Sequence, residues 1–414
     1  MKSEIIAVGS EMLTPFRQDT NSLYLTEKLN ELGVTVAFKT IVGDRQKDLV
    51  NAITSALGRA DIVAIMGGLG PTEDDLTREA VAETLSLALH RNAAQVAALA
   101  ARAATWRVPM PSNNLKQADV LDGAILLPNP NGSAPGQWLD TTWQDYRKLL
   151  MLLPGPPYEC RPLFDAECLP RLREILPPRH IAKRVLRAAM IPESKADKLL
   201  APIYTEYKDV ETTILAKAGD IQLTLLCSKS NATNAQKRVD ELADRMEEAL
   251  EDWLYSSNNE SLEQIVLYYL ELSQSTLAVA ESCTGGMIAE RITSVPGSSR
   301  SFLGGAVVYS NELKTAFAGV PPNLITECGA VSKEVAEALA FGIRRYTGAT
   351  LGLGVTGIAG PTGGTELKPV GLVHIALSDA KKTDSIERTF RGDRQRIREW
   401  TTQQALDLIR RRFR

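Results

Sequence analysis

Val279-Ala280-Glu281-Ser282-Cys283-Thr284-Gly285-Gly286-Met287 is where an apolar strand gives way to a helix. Residues 276–280 form a short apolar run, and beyond Gly285 the residues Ile288, Ala289 and Ile292 recur at helical spacing, so Ser282 falls in a strand-to-helix turn. Such a turn exposes a hydroxyl at the carboxyl end of a strand. The amides that open the helix have no intrahelical acceptor and can hold a developing oxyanion. Ser282 then reads as a nucleophile. A simpler reading, in which Ser282 or Thr284 only caps the helix, stays open on these residues alone.

The surrounding chain alternates in the same way. Residues 302–310 read as a strand, and Asn311 to Lys314 begin a helix. A helix over 334–346 starts near Ser332, and a glycine-rich strand over 350–355 runs into Thr356-Gly357-Ile358-Ala359-Gly360-Pro361-Thr362-Gly363-Gly364. A further strand is expected over 370–377. Alternation of this kind implies a parallel sheet covered on both faces. Three strand ends carry unusual residues: Ser282, Tyr309 with Lys314, and the loop from Thr356. In a doubly wound sheet such ends lie on one edge and are expected to converge on one pocket.

A serine nucleophile needs a base. The three histidines are His90, His180 and His374; the first two lie in other segments, and His374 sits inside a strand, where core packing explains it. Lys314 is the better candidate, provided burial or nearby charge depresses its pKa, with Tyr309 passing or orienting the proton. Out of context Lys314 would be a solvated helix residue. Cys283 is the rival nucleophile, stronger as a thiolate. Arg391 and Arg394, beside Gly392-Asp393, could meet a phosphate.

The first third repeats the pattern, with strands over 5–8, 34–42 and 62–66 and helices between them. The last of these strands ends in Gly67-Gly68-Leu69-Gly70-Pro71-Thr72-Glu73-Asp74-Asp75-Leu76-Thr77. Glycines let a ligand approach backbone amides, as phosphate loops do. Asp74 and Asp75, with Glu11, offer oxygen ligands for a divalent metal ion; singly, the aspartates are better explained by the helix dipole. Loops around Asn113 and Asn129 supply amides suited to a nucleotide, and Lys116 could offset phosphate charge, although turn-making accounts for Asn equally well. Between the two alternating regions lies a small α+β pattern. The fold class is therefore α/β, with two doubly wound domains over 1–170 and 256–414 joined by a small α+β linking domain over 171–255, its start marked by Pro162, Pro170, Pro177 and Pro178.

Composition narrows the function classes. The 414 residues, 44% hydrophobic and 23% charged, suffice for two or three domains. A net charge of -3 and a pI near 5.9 supply no whole-chain attraction for nucleic acid. Arg410-Arg411-Arg412-Phe413-Arg414 reads as a solvated helix end that complements the dipole. Cys160, Cys168, Cys227, Cys283 and Cys328 include no Cys-x-x-Cys pair, which indicates a reducing compartment without disulfides or a zinc site. Strand pattern begins at Ile5 and no apolar run reaches spanning length, so a cytoplasmic protein without membrane contact is expected.

The glycine loop resembles the signature of the molybdopterin-binding fold shared by molybdenum-cofactor biosynthesis proteins and the amino-terminal domain of the CinA family. Gly9-Ser10-Glu11, Asn113-Asn114-x-Lys116-Gln117, Leu127-Pro128-Asn129-Pro130 and Leu153-Pro154-Gly155-Pro156-Pro157 also resemble CinA, whereas residues 13–19 differ from that family's Gly-Gln-rich loop. Ala280-Glu281-Ser282-Cys283-Thr284-Gly285-Gly286, Tyr309-Ser310-Asn311-Glu312-x-Lys314 and the loop from Gly357 resemble its carboxyl-terminal domain, also found alone as nicotinamide-nucleotide amidase. The resemblance implies hydrolysis of nicotinamide mononucleotide to nicotinic acid mononucleotide and ammonia by Ser282, Lys314 and Tyr309, with no cofactor. Thr284 and Gly285 would supply oxyanion amides; Asn311, Gly357, Ala359 and Gly360 would bind substrate, as would Ser332 and Thr356, for which helix capping and loop hydrogen bonding are equally good accounts. For the first domain it implies metal-dependent ADP-ribose pyrophosphatase activity at Gly67, Gly68, Gly70, Thr72, Asn113, Lys116 and Asn129, with Asp74, Asp75 and Glu11 on the metal. It also implies a KH-like linking domain, for which a spacer or dimer-forming role is expected, with a homodimer as the assembly. A KH clamp needs a Gly-x-x-Gly loop, and none occurs between Arg184 and Tyr255, so pyridine nucleotides and ADP-ribose are the expected partners rather than nucleic acid. Two alternatives remain: a first domain that binds a nucleotide or pterin without catalysis, and a competence or DNA-damage accessory protein that uses its folds for interaction.

Overall fold

Alternate residues along three short apolar strands serve two different cores. Ile5, Ala7, Ile62, Ala64, Met66, Leu149, Met151 and Leu153 are buried on one side; Ile6, Val8, Val63, Ile65, Leu150 and Leu152 are buried on the other. Strands covered on both faces must be apolar throughout, which is why they read as continuous runs. The computed structural model describes residues 1–105, 110–177 and 179–414. It places these strands in a six-stranded sheet ordered Thr35–Val42, Lys2–Val8, Ile62–Met66, Tyr146–Leu153, Gly136–Trp143, Ile125–Leu127. Helix Asn21–Glu31 inserts Leu25 and Leu29 into one core, and helix Gln46–Arg59 inserts Leu49, Ile53 and Leu57 into the other. Four strands run parallel. The last two are antiparallel, a departure from the expected parallel sheet. Gln144 and Asp145, with φ of 48 and 66, close a two-residue hairpin, and so short a connection can join only antiparallel neighbours.

The chain divides into two compact units, Met1–Ile181 with Ser228–Ala232 and Ala182–Cys227 with Thr233–Arg414. Leu172 and Leu176 complete the first unit's core, so helix Leu169–Ile175 belongs to it and the boundary expected at 170 falls later. Pro178 lies outside the described residues.

Largely within the second unit, strands Val210–Lys217, Asp220–Lys229, His180–Ala189 and Leu254–Ser256 form one sheet in that order, with helices Glu193–Tyr204 and Ala232–Leu250 packed against it. The other sheet is ordered Phe302–Val307, Leu277–Glu281, Leu351–Gly357, Leu372–Ser378, Thr383–Thr389. Its first three strands are parallel. The last two are antiparallel, again correcting the all-parallel expectation. The Asp379 carboxylate accepts the amides of Lys381 and Lys382 at 2.7 and 2.8 Å, turning the chain directly back into a strand that sequence periodicity did not reveal. Leu277, Val279, Leu353 and Val355 meet helices Leu262–Leu272 and Arg394–Arg412, while Ala278 and Ala280 meet helix Lys333–Thr347. That helix lies so close that a Cβ on Gly354 would stand 2.3 Å from the Ala336 carbonyl, which explains the glycine-rich strand.

The arginine-rich end is not a solvated tail. Arg410 is 1% exposed, ion-paired to Asp407 at 2.7 Å and bonded to the carbonyls of Asp252 and Leu254 at 2.7 and 3.1 Å. Arg412 pairs with Asp379 and Asp384. Among the described residues no helix is long and apolar enough to cross a membrane.

Candidate active site

Strand Leu277–Glu281 delivers Ser282 to the sheet edge, where its amide donates to the Val355 carbonyl at 3.0 Å. The turn beyond it is held from two sides. Glu281, 1% exposed, accepts the amides of Gly286 and Ile288 on Oε2, at 2.9 and 3.1 Å, and that of Ala289 on Oε1 at 2.8 Å. Arg398 grips the Thr284 carbonyl through Nε and Nη2 at 3.1 and 2.8 Å. Helix Met287–Thr293 therefore starts on a carboxylate rather than on a serine or threonine cap. Neither holding residue was evident in sequence, although Glu281 directly precedes Ser282 and Arg398 lies four positions after Arg394.

Ser282, Cys283, Tyr309, Asn311, Lys314, Thr356, Gly357, Ala359 and Arg394 line one cavity of about 190 Å³, so the three strand ends converge. Lys314 is 2% exposed. Its Nζ donates to the carbonyls of Tyr309 at 3.2 Å and Ser310 at 3.5 Å. Burial pulls its pKa below the ordinary value of 10.5. In its neutral form this amine would give its two hydrogens to those carbonyls and keep a lone pair for a proton. Cys283 is buried, and burial pushes its thiol up to about 12, so at neutral pH it is a thiol rather than a thiolate. His374 is 6% exposed in its strand, and burial lowers its pKa.

Several expected roles change. The Tyr309 hydroxyl is not on Lys314, which takes the backbone carbonyl instead; the exposed phenol accepts from Arg394 Nη2 at 2.9 Å. The Gly285 amide is occupied by the Ser282 carbonyl at 3.2 Å, leaving it no part in an oxyanion hole. Thr284 is fully buried and does not line the cavity. Ser332 caps helix Lys333–Thr347, accepting from Val335 N and donating to the Gly329 carbonyl. Thr356 donates to the Ala330 carbonyl at 2.7 Å, and Gly360, outside the lining, accepts from Arg394 Nη1 at 2.9 Å.

The glycine loop of the first unit borders a second cleft of about 370 Å³, which Glu11, Asp44, Gly67, Gly68, Gly70, Thr72, Asp74, Asp75 and Glu159 help to line. Asn113, Lys116 and Asn129 stand outside it. Asn113 is exposed on the short helix Ser112–Ala118. Lys116 donates to the Thr72 carbonyl at 3.2 Å and pairs with Glu79 at 3.3 Å. Asn129 donates to Glu159 and to the Ala134 carbonyl at 2.7 and 2.8 Å. Asp75 is engaged by the amide and hydroxyl of Thr72. The Thr72 hydrogen bond also holds the exposed Asp74 carboxyl below its ordinary range. Among the described residues no three His, Cys, Asp or Glu side chains gather as a metal cage. The carboxylates of Glu11 and Asp74 border the cleft and suit a hydrated, magnesium-like ion completed by ligand phosphates; Asp75 accepts two hydrogen bonds from Thr72 and has less left to offer one.

Models of three families match the chain: the probable molybdopterin binding domain over 4–174, the damage-inducible protein CinA KH domain over 183–256, and the CinA C-terminal domain over 259–413. A "CinA-like protein" of Acidobacterium capsulatum is 66% identical over 100% of both chains. Another from Koribacter versatilis is 56% identical over 100% of both. A "putative competence-damage inducible protein" of Caldicellulosiruptor bescii is 39% identical over 100% of this chain and 99% of its own.

Proposed function

The chain belongs to the CinA family, and on that premise we propose that its carboxyl-terminal domain hydrolyses the carboxamide of nicotinamide mononucleotide to nicotinic acid mononucleotide and ammonia. The observation that carries this reading is the buried Lys314, its pKa depressed, sharing one small cavity with Ser282. Ser282 Oγ bonds to the carboxamide carbon as its proton passes to Lys314 Nζ. The carbon–nitrogen bond then breaks and ammonia leaves with the proton from Lys314, giving an acyl-enzyme. Water attacks that ester, its proton passes by way of Lys314 to Ser282 Oγ, and the acid is released. Arg394, bonded to the Tyr309 phenol and the Gly360 carbonyl at the cavity, would meet the nucleotide phosphate. Ammonia release from nicotinamide mononucleotide by the wild-type chain and its loss in S282A test the proposal; release undiminished in S282A would refute it.

For the first domain the reading is cleavage of ADP-ribose at its diphosphate to AMP and ribose phosphate. Glu11 and Asp74 would hold a divalent ion, whose chemistry when bound is to polarise phosphoryl oxygens and activate water. The engagement of Asp75 by Thr72 favours a second reading, a nucleotide-binding module without catalysis. Metal-dependent AMP release supports the first; ADP-ribose binding without release supports the second.

A further inference from the structure

Four consecutive carbonyls of the glycine loop are tied to two adjacent residues at the start of helix Thr77–Leu85. Thr77 Oγ1 donates to Gly67 O at 2.8 Å, and Thr77 N donates to Gly68 O at 3.2 Å. Arg78 Nη1 donates to Leu69 O at 3.0 Å, and its Nη2 donates to Gly70 O at 3.1 Å. Thr77 and Arg78 are fully buried, and Arg78 Nε has no partner among the described residues. The position is built for glycine: a Cβ on Gly68, whose φ is 66, would stand 2.2 Å from Thr77 Oγ1.

A trans peptide sends its N–H opposite to its C=O. With the carbonyls of Gly67, Gly68 and Leu69 drawn toward the helix, the amides of Gly68, Leu69 and Gly70 face away from it. All three residues line the cleft, and none of these amides has an acceptor among the described residues. Successive amides presented together form an anion-binding concavity.

We propose that Thr77 and Arg78 are positioning residues that turn the loop carbonyls inward, presenting the amides of Gly68, Leu69 and Gly70 as a receptor for one phosphate group of a diphosphate ligand. The inference rests on the reading of this cleft as a nucleotide site. It assigns the phosphate to backbone donors, and it assigns a purpose to a buried guanidinium that touches no ligand itself. The rim carboxylates Glu11, Asp44 and Asp74 oppose a bare anion, so the phosphate would enter with a divalent cation.

The test is calorimetric titration of inorganic pyrophosphate into the full chain in magnesium buffer, comparing wild type with T77V, T77S, R78M and R78K. Wild type and T77S are expected to bind alike. T77V and R78M should weaken binding by about tenfold or more, the effect of losing hydrogen bonds that orient a binding loop. R78K should fall between, since an ammonium lacks the guanidinium fork. T77V keeps the test decisive if R78M does not fold. Absence of pyrophosphate binding by wild type, or equal binding by wild type and T77V, would overturn the inference. Binding that follows the expected order, in a chain that releases no AMP from ADP-ribose, would defeat the catalytic reading of the first domain and leave the anion receptor standing.

Discussion

Cys283 and Ser282 are neighbours with opposite prospects. A thiol held near 12 is protonated at neutral pH, whereas Ser282 shares its cavity with an amine that burial drives toward the neutral form. C283A should therefore retain most ammonia-releasing activity and S282A none, in a direct assay of ammonia. For Lys314 the pH dependence has a definite sign. Its folded pKa lies below 10.5, so between the two values the unfolded chain binds more protons, and the stability contributed by this group rises with pH across that window. K314M should abolish activity and flatten that rise in denaturant titrations as pH climbs toward the ordinary lysine value of 10.5. The acid limb of kcat/KM in wild type should also lie below the ordinary lysine range, because the base must be neutral to accept the proton.

At the scale of elements, the turn after strand Leu277–Glu281 depends on one carboxylate. E281A strands three amides and should cost on the order of 3 kcal/mol or more in urea unfolding. E281Q should recover part of that loss. R398M frees the Thr284 carbonyl and should lower kcat more than it raises KM, because it loosens the turn without touching Arg394, the proposed phosphate contact. Much of this region was legible in the sequence. Apolar runs gave the central strands because both of their faces are buried, and the convergence of Ser282, Lys314 and the loop from Thr356 follows from parallel topology. Strand Thr383–Thr389 escaped notice because it is half-exposed and polar. The cap at Ser332 was one of two readings open in the sequence, and the role of Gly285 escaped because a hydroxyl or an amide near a pocket looks the same in sequence whether it faces a ligand or closes a local hydrogen bond. Arg78 and Arg398 act on backbone carbonyls, which leave no trace in a pattern of side chains.

At the scale of the molecule, the linking domain and the carboxyl-terminal domain form one compact unit, in which Ala189 and Tyr255 belong to the carboxyl-terminal core. A fragment beginning at residue 257 loses both, along with the carbonyls that hold Arg410. It should melt lower than a fragment spanning 182–414 in calorimetry, and equal melting would contradict the shared core. Cysteine placement has a further consequence across the chain. Cys160, Cys168, Cys227 and Cys283 are buried, Cys283 as a protonated neighbour of Ser282 at its cavity, and Cys328 is partly exposed. Alkylating agents and peroxide attack thiolates that water can reach. The proposed hydrolase should thus keep working in iodoacetamide or mild oxidant with only the partly exposed Cys328 modified, and loss of activity on such treatment would show that a cysteine serves the site.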